Sequence, residues 1–129
     1  MKKVFLEYVW LDGNQPQQLR SKTKVVKPED ITKYVEMLKV GFVWDLPKWS
    51  FDGSSTKQAK AGKGENTDCI LKPVFSCNDP FRGDYHHIVF CEVLNPDGTL
   101  HSTNKRGELR EFMKENKMMD SKDNLEKAN

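Results

Sequence analysis

What is missing from these 129 residues narrows the field first. No apolar run approaches the roughly 20 residues of a membrane span, so no membrane contact is expected. An excess of one charge is missing too: 21 basic and 19 acidic residues leave a net charge of +2, whereas nucleic acid wants a concentrated basic face. Met1-Lys2-Lys3 is basic, but Glu7 interrupts the apolar stretch behind it, which makes a poor signal peptide. Cysteine is scarce, and Cys69, Cys77 and Cys91 form no Cys-x-x-Cys pair. They read as reduced thiols in a cytoplasmic protein, with Cys69 and Cys91 as small buried hydrophobes. Zinc-ligand spacing is absent. His86 and His87 are adjacent, so on a strand they point to opposite faces, and His101 is isolated. Gly62-Lys63 is not a phosphate loop: Lys57 stands where the earlier glycine belongs and Gly64 where Ser or Thr belongs.

What remains fits one domain with a single core. Val4 to Leu11 reads as a strand with Val4, Leu6, Tyr8 and Trp10 on its apolar face. Asp12-Gly13-Asn14 is a turn, and Leu19 to Val26 completes a hairpin. Arg20, Lys22 and Lys24 line one side of that second strand. They suit phosphate or an acidic partner, or else a solvated face that keeps an edge from pairing. Pro28-Glu29-Asp30 opens a helix whose stripe is Ile31, Tyr34, Val35 and Leu38, and Gly41 ends it. A hairpin followed by a helix across a sheet opens a β-grasp arrangement, and it also suits other α+β folds.

Farther along, Lys57 to Asn66 has no large apolar residue and predicts a mobile, solvated loop. Thr67 to Phe75 is a strand that Pro73 either ends or places at an edge. Asn78-Asp79-Pro80 and Gly83-Asp84 read as turns, and Ile88 to Leu94 as the last clear strand. Ser102 or Thr103 is positioned to cap a helix of about Asn104 to Asn116, with Leu109, Phe112 and Met113 as its stripe. The expected organisation is a β-grasp domain over residues 1–101, a C-terminal helix over 102–117 and a disordered tail over 118–129.

The chain is organised around Asp45 to Ser55. Trp49 and Phe51 alternate with Ser50 and Asp52, so a short strand would bury the rings and expose the polar partners. Gly53 permits a sharp turn, including positive φ. Two readings stand side by side. Asp52 either caps its own loop, as Asp-Gly turns commonly do, or offers a carboxylate to a cationic ligand.

The run Leu46-Pro47-Lys48-Trp49-Ser50-Phe51-Asp52-Gly53-Ser54-Ser55-Thr56 resembles the glutamine synthetase signature. Other segments resemble the same family's N-terminal β-grasp domain in order: Tyr8 to Gly13, Leu19 to Lys24, Thr67-Asp68, Leu71-Lys72-Pro73, Asp79 to Arg82, Cys91-Glu92-Val93 and Thr103 to Arg106. The resemblance implies an α+β fold: a β-grasp-like mixed sheet with one packed helix, plus a C-terminal helix. It also implies ligation of glutamate and ammonia with ATP, at a site where one subunit lends a loop to its neighbour's catalytic domain. Asp52 then corresponds to the aspartate that binds ammonium and promotes its deprotonation, and Ser55 to a serine of the same site.

The departure from the family lies after Lys114, where no glutamate-rich strand follows. The family's ATP and its Mg or Mn are held by that missing domain, so no cofactor or metal site is expected in this chain and it should be inactive alone. The resemblance leaves three roles open. One is a non-catalytic module that binds or regulates a full-length glutamine synthetase, or self-associates. Another is a fragment of an active enzyme that contributes the ammonium loop. The last is a ubiquitin-like interaction module carrying a chance signature.

Overall fold

A computed structural model describes residues 3–59 and 67–116. Five strands form one mixed sheet: β1 (Val4–Leu11), β2 (Leu19–Val26), β3 (Trp49–Asp52), β4 (Asp68–Asp79) and β5 (Gly83–Leu94). Helix α1 (Ile31–Lys39) crosses between β2 and β3, and α2 (Lys105–Glu115) follows the sheet. Strand order is β2-β1-β5-β4-β3, with β1 parallel to β5 and every other pair antiparallel. This is the α+β, β-grasp arrangement that the hairpin and helix foreshadow. No described helix is long and apolar enough to cross a membrane.

The core is the face on which β1 places Val4, Leu6, Tyr8 and Trp10, all buried. Helix α1 covers it with Val35 and Leu38, its only buried residues. The helix starts one turn later than the Pro28 signal predicts. Asp30 is its N-cap and accepts from the Lys33 amide, so Pro28 and Glu29 lie outside it. Gly41 closes it at φ +81°, where its amide donates to the Leu38 carbonyl.

The sheet coils until its two edges approach. Two strands separate β1 from β3, yet Trp49 meets Tyr8 edge-on at 5.4 Å and Phe51 lies 4.6 Å from Trp10. From β2, the Lys22 ammonium sits 3.7 Å from the centre of the Trp49 ring and donates to the Ser50 carbonyl. The cationic row of β2 therefore faces the core side, in register with Trp10, Tyr8 and Leu6. Arg20, Lys22 and Lys24 roof the gap between the two edges instead of lining a solvated face. Their long stems suit this, covering apolar surface while the charged heads find partners.

Of three further expectations, one resolves toward its edge alternative and two change. Strand β4 runs through Pro73 to Asp79. Its pairing with β3 stops at Leu71, so Pro73 has only β5 as a neighbour, and a register shift falls between Pro73 and Phe75. Strand β5 begins at Gly83, inside the predicted turn, because Asp79 closes a tighter hairpin by accepting from the Phe81 and Arg82 amides. Finally, Asn104 caps α2 by accepting from the Gly107 amide, in place of Ser102 or Thr103. The apolar stripe of α2 stays outside, with Leu109 and Phe112 more than half exposed. The helix is held by polar contacts from its first two turns.

Candidate functional site

Strand β3 delivers Asp52 to the surface and buries Phe51 behind it. A 3-10 turn, Gly53–Thr56, follows at once. The Asp52 carboxylate caps this turn. Its Oδ1 accepts from the Ser54 amide at 3.0 Å and from the Ser54 hydroxyl at 2.7 Å. Those two bonds, with one from the Thr67 hydroxyl, hold the carboxyl below its ordinary range, and slight desolvation opposes them. Asp52 is therefore an exposed, ionised carboxylate. Ser55 is also exposed, and its hydroxyl donates to the Asp52 carbonyl at 2.9 Å. The two predicted site residues thus stand on one turn and are linked through the backbone of Asp52.

Gly53 does not adopt the positive φ that its position in the sequence invites; the only non-glycine residue that does is Lys57, at φ 59°, among the described residues. Gly53 is needed for space. A Cβ there would lie 2.7 Å from the Cys69 sulfur and 3.1 Å from the Thr67 carbonyl oxygen. Its amide donates to that carbonyl, so the turn is pressed against the start of β4.

What makes the turn a rigid platform is a buried polar cluster behind it. Gln58 is 5% exposed. Its amide nitrogen donates to the Leu11 carbonyl at 3.0 Å and to the Thr103 hydroxyl at 2.8 Å, and its oxygen accepts from the Thr56 hydroxyl at 2.8 Å. The Gln58 carbonyl meets His101 Nε2, and His101 Nδ1 lies 2.9 Å from the Thr103 hydroxyl. Gln58 is thus a buried strut and not part of the mobile loop predicted over Lys57 to Asn66. Residues 60–66, like the predicted tail over 118–129, lie outside the described residues.

Asp12 supports the same platform. Its carboxylate is fully buried and accepts from the Asn14 and Gln18 amides, the Asn14 side chain and Arg20 Nε. Burial pushes its pKa up, but these donors outweigh it and hold the carboxyl far below the usual range. Next to it, the Gly13 amide donates to the Thr56 carbonyl at 2.8 Å. The sequence marks Asp12-Gly13 only as a turn, and nothing in it singles out Gln58 or His101. Their roles arise from contacts across 43 to 47 positions of chain.

Among the described residues, no three His, Cys, Asp or Glu side chains converge to hold an ion. What the turn does offer is an exposed carboxylate and hydroxyls on a fixed backbone, suited to a small cation brought from outside.

Comparison with known proteins agrees with the fold. A family model described as "Glutamine synthetase, beta-Grasp domain" matches residues 2–96. A glutamine synthetase of Streptomyces viridochromogenes is 46% identical over 108 residues, covering 81% of this chain and 27% of that protein. One from Streptomyces hygroscopicus is 47% identical over 105 residues, covering 81% and 26%. A chloroplastic glutamine synthetase of Chlamydomonas reinhardtii is 44% identical over 118 residues, covering 83% and 27%. The chain spans about a quarter of the length of these curated relatives.

Proposed function

The chain belongs to the glutamine synthetase family through its β-grasp domain, and from that premise we propose that it lends the Asp52–Ser55 turn to the ammonium site of a synthetase catalytic domain on another subunit. One observation carries this reading: the Asp52 carboxylate is ionised and exposed while the turn beneath it is pinned by Gln58 and Asp12. A carboxylate held in that state attracts ammonium and favours loss of its proton once the cation is enclosed against an acyl phosphate. Rigid support matters because a misplacement of about 1 Å can cost on the order of 100-fold in rate. ATP and the divalent metal would be supplied by the partner's catalytic domain.

The experiment is a rescue. A full-length glutamine synthetase whose own ammonium-loop aspartate is replaced by Asn is mixed with this chain, and ammonia-dependent activity is read on the fractions that co-elute. Restored activity that disappears with Asp52→Asn supports the proposal. Asn keeps the capping acceptor and removes only the charge, so folding is not at issue. A stable complex whose activity ignores Asp52→Asn would replace this reading with that of a binding or regulatory module. That second reading has its own support, in the exposed apolar residues Leu19, Leu109 and Phe112. No complex in either case overturns both.

A further inference from the structure

Away from Asp52, the end of β3 leaves β4 uncovered beyond Leu71, and a cleft opens there. Its walls are the loop between α1 and β3, the Lys72–Val74 part of β4, and the first turns of α2. It measures about 470 Å³, within the usual range for small-ligand sites. Four cations line it: Lys48, Lys72, Arg106 and Arg110. Only one carboxylate, Glu92, faces them there.

The charges are arranged as well as numerous. Glu92 is 2% exposed and accepts from Arg110 and from the Asn104 side-chain amide at 3.3 Å, with Arg106 Nε 3.5 Å away. Burial pushes its pKa up, but the bonds from Arg110 and Asn104 and the two guanidinium charges prevail, so it stays ionised. It thereby fixes the Arg110 guanidinium at the cleft wall and holds Arg106 nearby by charge. One negative charge is shared between two arginines, and neither Lys48 nor Lys72 forms an ion pair among the described residues. At the same cleft Trp44 stands 83% exposed.

We propose that this cleft binds an oligophosphate anion, either free or carried on a nucleoside. Oligophosphate suits the site because several charges lie within one small ligand, and planar guanidinium groups bind phosphate oxygens in pairs. The site involves neither Asp52 nor a partner subunit, so it stands or falls separately from the ammonium-loop reading.

The full chain is titrated with sodium tripolyphosphate and with GTP, in EDTA so that no metal masks the charge. Heat and tryptophan fluorescence are recorded. The expected result is saturable binding that weakens as salt is raised. Lys48→Ala and Lys72→Ala should each weaken it about fivefold, as expected for one lost charge-assisted contact. Lys33→Ala, an exposed lysine of α1 outside the cleft, should leave it unchanged. If Trp44→Ala weakens GTP but not tripolyphosphate, the nucleoside is part of the ligand; if it alters neither, the anion alone is read. Absence of saturation with both probes overturns the proposal. So does binding that all three lysine variants lower equally, since that is unspecific attraction to surface charge. Both cleft lysines are exposed, so their replacement by Ala should leave the fold intact, and thermal melts of the variants check this directly.

Discussion

Two of the three Asp-Gly pairs, Asp12-Gly13 and Asp52-Gly53, look alike in the sequence and end in opposite situations. The first carboxylate is fully buried and saturated by backbone amides and Arg20; the second is exposed and bonded mainly within its own turn. Both glycines are required for close approach and neither for positive φ. The two pairs also meet, since the Gly13 amide holds the Thr56 carbonyl at the end of the Asp52 turn. One Asp-Gly is thus part of the support, and the other is part of the surface being supported. A dipeptide signal reports that the chain turns, but what is packed against the turn decides its role.

Substituting the two aspartates should separate these roles most sharply. Asp12→Ala leaves the Asn14 and Gln18 amides without their acceptor, removes the partner of Arg20 and empties a buried site, so a fall in melting temperature on the order of 15 °C is expected. Asp52→Asn keeps an acceptor for Ser54 at an exposed position and should move the melt by no more than about 2 °C. Acid titration distinguishes the pair in the same direction. Both carboxyls have folded pKa values below their unfolded ones. Each therefore contributes stability above a pH of about 4 that is lost as pH falls through the folded value. The larger contribution belongs to Asp12, so Asp12→Ala should flatten the acid limb of the stability curve far more than Asp52→Asn. Equal flattening by the two variants would erase the contrast.

The glycines sharpen it further. A methyl group at Gly13 would lie 2.0 Å from the Lys57 carbonyl oxygen, which is backbone and cannot step aside alone. Gly13→Ala should cost about 2 kcal/mol and displace the 3-10 turn. At Gly53 the nearest atom is the Cys69 sulfur, at the end of a short side chain that can rotate. Gly53→Ala should cost less, about 1 kcal/mol. Chemical denaturation of both variants gives the order, and a greater cost at Gly53 would show that the Asp52 turn is held by β4 more than by the Asp12 turn.

Much of the sheet was legible because burial alternates strictly along β1 and the helical stripe of α1 is clean. The bounds of β1 and β2 agree with the strands read from hydrophobic alternation. Pro73 left two outcomes open, a strand end or an edge, because a proline's cost depends on whether a neighbour needs its amide; the edge is the one found, since β3 has already ended there. The α2 stripe misled. A periodic pattern shows that an apolar face exists but not that this chain covers it, and here Glu92 holds the helix by Arg106 and Arg110 while Leu109 and Phe112 face out. In the candidate site, Asp52 and Ser55 were legible as a motif. Gln58 was not, since its value lies in reaching Leu11 and Thr103 at once.

A small effect of opposite sign concerns the residue on which the two pairs converge. Lys57 ends the 3-10 turn in the left-handed region, at φ 59°, and its carbonyl lies over Gly13. For an L-residue that conformation costs roughly 1–2 kcal/mol. Glycine removes the strain but loses about 0.5–1 kcal/mol of additional chain entropy on folding. Lys57→Gly should therefore raise stability by about 0.5–1 kcal/mol, with Asp52 and Ser55 left in place. A gain locates the strain in the backbone, where the Asp12 turn forces the chain to reverse. A loss would mean that the lysine side chain offsets its own strain, and the platform behind Asp52 would then extend outward beyond Gln58.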